Sequence, residues 1–261
     1  MNTGSRLALY GAALAVVAIG GWGIGAAVGP VGATAEHGHD TPKGYQLEPS
    51  RFAATTLVAG QATSFSFRVL DGDSRPVTRF RDLQLLVVRD DTAGFQRLRP
   101  QMAADGTWTT PLTLPTPGGY RAIADFTTDT GQGTAATAIG ADSTYRTSTG
   151  GAARVSEVDG YVVSLVGTPV VGTASPLTFA VTKDGAPVQV TSRLAVLKAD
   201  DLTYVRPTPG ASGFDVTLPT QATYRLFLDF DHAGATHTAG FTVTASGSTI
   251  PNATTHDGGH R

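Results

Sequence analysis

The sequence predicts an all-β chain, and three observations carry the prediction. Glycine and proline are frequent, with 32 and 15 copies, threonine and valine recur throughout, and long helix-compatible heptads are missing. Short stretches alternate apolar with polar residues and end at turn dipeptides such as Asp-Gly. A whole block of such stretches then occurs a second time.

Each element of the block has a reason. "TSFSFRVLD" (63–71) sets Phe65, Phe67 and Val69 on one face, the pattern of a half-buried strand. "DGDSRPV" supplies turn chemistry, and "LQLLVVRDD" reads as the next strand. "DGTWTTPLTLPTPGGYRAIADF" gives two more, and "AATAIGA" a last one. Further along, "PLTFAVTKDGAPV" (176–188) repeats the first strand and turn. "LAVLKADDLTYVRPTP" (194–209) repeats "LLVVRDDTAGFQRLRP", and "SGFDVTLPTQATYRLFLDF" (212–230) repeats the Trp-to-Phe segment. About seven short strands per copy, with regular turns, predict an immunoglobulin-like sandwich. Two copies predict two tandem immunoglobulin-like β-sandwich domains, each closing its own core. Trp108, Tyr120, Tyr161 and Tyr224 alternate with polar residues and are expected in the cores or on strand faces.

The expected organisation is an N-terminal transmembrane anchor or signal segment at 1–29, a spacer at 30–43 and a first domain at 44–141. A Ser/Thr/Gly-rich linker at 142–158 leads to a second domain at 159–245, and a polar, disordered tail follows at 246–261. Residues 7–29 run for 23 positions without a charge, enough to cross a bilayer as a helix. Only Arg6 and the terminal amine precede that run, so the positive-inside rule predicts a single-pass plasma-membrane protein with its domains outside the cytoplasm. The competing reading is a cleaved signal peptide ending in the "ATA" at 33–35. The run is longer than a usual secretory apolar core, and Pro30 stands between it and that site.

Composition narrows the function classes. Charged residues are 15% of the chain and the formal net charge is −2, which gives no electrostatic case for nucleic acid. With no cysteine there are no disulfides, thiolate metal sites or cysteine nucleophiles. No nucleophile elbow, phosphate loop, zinc-protease helix or Ser/His/Asp cluster is visible, so no enzyme is predicted. Asp90–Asp91 and Asp200–Asp201 recur at the same turn of both copies, which points to turn chemistry.

"GFQRLRP … DGTW … LTLP … GGYR … ADF" and "DLTYVRPTP … LP … TYRLFLDF … HTAGFTV" resemble actinobacterial membrane-anchored exported proteins. These carry two Ig-like domains related to YtkA-like and CopC-like modules and are suspected of metal handling. The resemblance covers the anchor and both domains. In that family the first frame usually reads Phe-Gln-His-Leu-His-Pro and the second ends in His-x-His-Pro; the matching positions here are Arg97, Arg99, Arg206 and Thr208. A pair at i and i+2 on a strand points one way, and two imidazoles there can share a copper or zinc ion. Arginine stays protonated and cannot ligate a metal. The resemblance therefore implies a scaffold without its strand-borne metal site. Arg97, Arg99 and Arg206 become an anion- or partner-binding candidate, with a plain solvated strand face as the alternative.

The six histidines leave a second candidate, copper or zinc, although no cofactor is firmly indicated. His37 and His39 in "EHGHD", and His256 and His260 in "HDGGH", lie in the flanks beside Asp40 and Asp257. His232 and His237 flank a hairpin turn, which is expected to set them opposite each other at the rim of the second core, with Asp231 nearby. The alternative is two rim histidines bonded to backbone or water. The expected function is a non-enzymatic, membrane-anchored extracytoplasmic binding or adaptor protein of the bacterial cell envelope, with an envelope protein as partner. The alternative is a heavy-metal handling protein.

Overall fold

The computed structural model describes residues 44–50, 57–140 and 153–247. The apolar run at 7–29, His37, His39, His256 and His260 lie outside them, and among the described residues no helix is long and apolar enough to cross a membrane. All of the described residues belong to one compact body.

The first half contains β1 (Gln46–Pro49), β2 (Ala62–Leu70), β3 (Asp82–Arg89), β4 (Phe95–Leu98), β5 (Gln101–Met102), β6 (Trp108–Thr113), β7 (Tyr120–Thr128) and β8 (Gly131–Ile139). They pair in two sheets, β1-β2-β6-β5 and β4-β3-β7-β8. The alternation in β2 buries Phe65, Phe67 and Val69 completely, against Leu85, Val87, Tyr120 and Ala122 of the facing sheet. That is two layers around one core, and Trp108 closes it edge-on against Phe80.

The second half contains β9 (Val155–Val158), β10 (Tyr161–Val166), β11 (Ser175–Lys183), β12 (Ala186–Pro187), β13 (Thr191–Lys198), β14 (Tyr204–Val205), β15 (Thr208–Gly210), β16 (Gly213–Val216), β17 (Thr223–His232) and β18 (Ala235–Thr244). Its sheets are β15-β16-β11-β10-β9, with β12 on β11, and β14-β13-β17-β18. Leu177, Val181, Val163 and Leu165 meet Leu194, Val196, Leu226, Leu228 and Phe241 in a second core.

One boundary differs from the sequence reading. The segment expected to be linker as far as residue 158 ends in a strand, because Val155–Val158 folds back on β10 through a tight turn at Asp159–Gly160. Both turn residues have positive φ, 50° and 79°, the conformation that Asp-Gly adopts most cheaply in a hairpin. Tyrosine ties each half together in the same way. The Tyr120 hydroxyl donates to the Thr116 carbonyl at 2.9 Å, and Tyr224 donates to that of Thr220 at 3.0 Å.

Strands β3, β7, β13 and β17 depart from simple alternation. Leu85, Leu86, Val87 and Val88 are all buried, as are Leu194 through Leu197. Successive residues point to opposite faces, so both faces of these sheets are covered. The inner faces meet their own cores and the outer faces meet each other.

Candidate functional site

The seam between the halves has an apolar centre. Leu86, Val88 and Ile123 of the first half pack with Ala195, Leu197, Leu202 and Phe227 of the second, with Phe95 and Tyr204 alongside. Phe95 and Phe227 stack at a centroid distance of 4.4 Å, with planes 5° apart. Strand register makes the halves superposable: Leu86 pairs with Ile123 and with Arg97, while Ala195 pairs with Phe227. Asp125 and Asp229 then occupy equivalent places, as do Arg97 and Arg206.

Two reciprocal ion pairs flank that centre. Arg97 Nε donates to Asp229 Oδ2 at 2.5 Å, with side chains only 7% and 3% exposed. Arg206 Nη2 donates to Asp125 Oδ1, and also to the carbonyls of Phe126 at 3.2 Å and Gly133 at 2.8 Å. Gln84 links the two pairs, accepting from Arg97 Nη1 at 2.5 Å and donating to Asp125 Oδ2 at 2.6 Å. Tyr204 donates to the same Asp125 oxygen at 3.1 Å. Burial first, and then the Asp125 charge, push the Tyr204 phenol far above its ordinary range, so it remains a protonated donor. Thr238 donates to the other oxygen of Asp229 at 2.6 Å.

These contacts place the arginines differently from the surface expected of them. Arg97 and Arg206 face carboxylates of the opposite half, and Arg193 faces Asp231 at 3.3 Å. A guanidinium fork engaged this way offers little to an outside anion. Arg99 lies just beyond the end of β4 and is exposed. It contributes to holding the Asp231 carboxyl low, after the Thr236 hydroxyl and Arg193. Beside the seam opens a cleft of about 400 Å³, lined by Arg97, Arg193, Arg206, Tyr204, Gln84 and Phe214 among others.

The histidines stand at the opposite face of the second half's sheet. β17 and β18 are joined by a two-residue turn, Ala233–Gly234, with φ of 52° and 81°. His232 therefore pairs with Ala235 and His237 with Phe230, not with each other as expected. They are diagonal neighbours, and the ring of Tyr161 lies against both, 5.5 Å from His232 and 4.6 Å from His237. Lys183 Nζ donates to the Tyr161 hydroxyl at 3.3 Å. That hydroxyl in turn is hydrogen-bonded to His232 Nδ1 at 2.7 Å. His237 Nδ1 donates to Asp159 at 2.7 Å. Asp231 points to the seam face and plays no part in this cluster. Among the described residues, no group of three or more His, Asp or Glu is placed to hold a metal ion.

Sequence reasoning missed Asp125, Asp229, Gln84 and Tyr204. The signal was a carboxylate in the middle of an apolar strand, "AIADF" and "LFLDF", at the same place in both copies.

Residues 156–247 match a family described as a domain of unknown function, DUF8832. No curated protein matches the chain. Among solved structures, that of the titin domains z1z2 in complex with telethonin matches 80% of this chain and 100% of its own at 12% identity, with a TM-score of 0.23. At that TM-score the likeness bears on neither fold nor function.

Proposed function

We propose that this chain is a non-enzymatic, membrane-anchored extracytoplasmic binding or adaptor protein of the bacterial cell envelope, built from two immunoglobulin-like domains. One observation carries the reading. The halves are fused face to face by an apolar seam bracketed with buried, reciprocal Arg–Asp pairs. Such a seam makes one stiff body of two sandwiches, suited to presenting loops and edges at a fixed spacing rather than to closing on a substrate. The immunoglobulin-like reading is supported by the tyrosine hydroxyl that reaches back to the preceding loop in each half. The anchor rests on the uncharged run at 7–29, and the resemblance to exported two-domain proteins agrees with it. The test combines membrane fractionation with N-terminal sequencing and in-cell crosslinking. A membrane-retained chain that keeps its first residues and captures an envelope protein supports the reading. A chain recovered from the cytosol, or one beginning at Glu36, defeats it.

A second reading, copper or zinc binding at the hairpin rim, is favoured by a single observation: Asp159 orients His237 in the manner of an outer-shell carboxylate behind a ligating imidazole. The Nδ1 of His232 is engaged by the Tyr161 hydroxyl. Calorimetric titration with copper and zinc, comparing His237→Ala with removal of the tail after residue 245, separates the rim from the flanks. Equal losses in the two variants exclude the rim.

A further inference from the structure

The two halves differ at one end of their cores. In the first half β6 pairs with β2 as far as Phe67↔Trp108. The alternating residues Trp108, Thr110, Leu112 and Leu114 are all buried, and Phe67 is wholly so. In the second half the corresponding strand, β16, stops sooner. Its last pair with β11 is Leu177↔Phe214, the counterpart of Phe65↔Thr110. The place of Trp108 therefore falls to Ser212, an exposed residue in the turn between β15 and β16. Phe179, the counterpart of Phe67, is only half-buried.

A cleft of about 600 Å³ opens at that place, lined by Phe179, Phe214, Pro187, Val188 and Val190 among others. Its main chain is incomplete as well. Beyond Leu177, β11 regains a strand partner on this side only at Thr182↔Pro187. The Val181 carbonyl accepts from the Val188 N–H, so odd-numbered residues of β11 bond toward this side. The N–H and C=O of Phe179 thus face the cleft, with no backbone partner there among the described residues.

We infer that this cleft is a docking site for an extended segment of a partner protein, which seats a tryptophan side chain against Phe179 and Phe214 and pairs its main chain with Phe179. The first half identifies the occupant, because there the same frame is completed by Thr107, Trp108 and Thr109. Ring burial gives such a contact its affinity, and strand pairing gives it its register. This chain has no tryptophan to spare for the seat. Trp108 is buried in its own core, in a second copy as in the first, and Trp22 belongs to the uncharged run at 7–29. The tail after residue 247 contains no aromatic residue.

The test uses the full chain in mild detergent and a capped Thr-Trp-Thr tripeptide, followed by backbone and methyl NMR. Saturable shifts are expected at Phe179, Val188 and Val190, with affinity at least about tenfold weaker when alanine replaces the peptide's tryptophan. Ser212→Trp should fill the seat from within, weakening the peptide at least about tenfold and raising the melting temperature by about 2–4 °C. Ser212→Asp alters an exposed position, leaves the packing alone and sets a charge beside the ring, so it should weaken the peptide similarly. The ring alone, as 3-methylindole, should bind at least about tenfold more weakly than the tripeptide, since it lacks the main-chain hydrogen bonds. No saturable shift, indifference to the alanine peptide or to both variants, or equal binding of 3-methylindole would each overturn the inference. As a partner site the cleft rests on the adaptor reading, yet the two can fail apart. In-cell crosslinking that captures one envelope protein equally from the parent and from Ser212→Asp keeps the adaptor and removes the cleft.

Discussion

Removing Arg97 tests the seam most directly. In Arg97→Leu, the Asp229 carboxylate stays 3% exposed and keeps only the Thr238 hydroxyl as a hydrogen-bond donor. Breaking a buried ion pair from one side costs about 3–5 kcal/mol, because the remaining charge has no compensation. For a cooperative body of roughly 200 residues, each kcal/mol is worth about 2–4 °C, so the midpoint should fall by about 6–20 °C. Gln84 also loses the donor to its side-chain oxygen, which places the cost in the upper part of that range. The double variant Arg97→Leu/Asp229→Leu removes both charges and should recover most of the loss. Calorimetry and urea unfolding measure both, and the single variant should also begin to separate the halves into two transitions. A single-variant loss under about 1 kcal/mol, the value of an exposed pair, would refute the claim that this pair fastens the two halves.

The remaining predictions concern two glycines and a carboxylate. A Cβ on Gly133 would lie 2.4 Å from the Phe126 ring and 2.8 Å from that of Tyr45, so Gly133→Ala should cost about 1–3 kcal/mol in chemical unfolding. Gly240→Ala meets the movable end of the Arg225 side chain at 3.3 Å and the Phe227 ring at an ordinary 3.8 Å, and should be close to neutral. The Asp91 carboxyl is held below its ordinary value, chiefly by the Arg89 hydrogen bond, with burial opposing. A depressed carboxylate stabilises the fold above its unfolded pKa, and that contribution is lost as pH falls through the folded one. Asp91→Asn should therefore cost about 1–3 kcal/mol near neutral pH, and the difference from the parent should vanish on acidification toward about pH 2. A constant difference across the titration would point to packing instead.

The repeat and the strand alternation were enough to predict an all-β chain with two cores. Phe65, Phe67 and Val69 point inward as their spacing says. What alternation did not reveal was the covering of the outer faces. A strand buried on both sides reads as a continuous apolar run, and "LLVV" and "LAVL" are such runs, yet nothing in them says whether a helix, a neighbouring chain or the other half of the molecule lies on top. The arginines were visible as unusual, but their partners were not, because Asp229 lies 132 residues from Arg97 and no local spacing connects them. The hairpin turned on two residues of loop length. A two-residue loop sets His232 diagonal to His237, while a four-residue loop would set them opposite.

The seam obeys an exchange rule: position 97 answers to 229, and position 206 answers to 125. Contacts that swap ends in this way are those of an interface between identical subunits related by a two-fold axis. Here both subunits lie in one polypeptide, so association no longer depends on concentration and neither half has to match itself. Each half is free to drift in sequence, provided the other carries the answering change. The tolerated drift is already visible where glycine at 133 stands opposite Phe126 and histidine at 237 opposite Phe230. Mutational histories of the two halves should therefore be correlated across the seam and independent away from it.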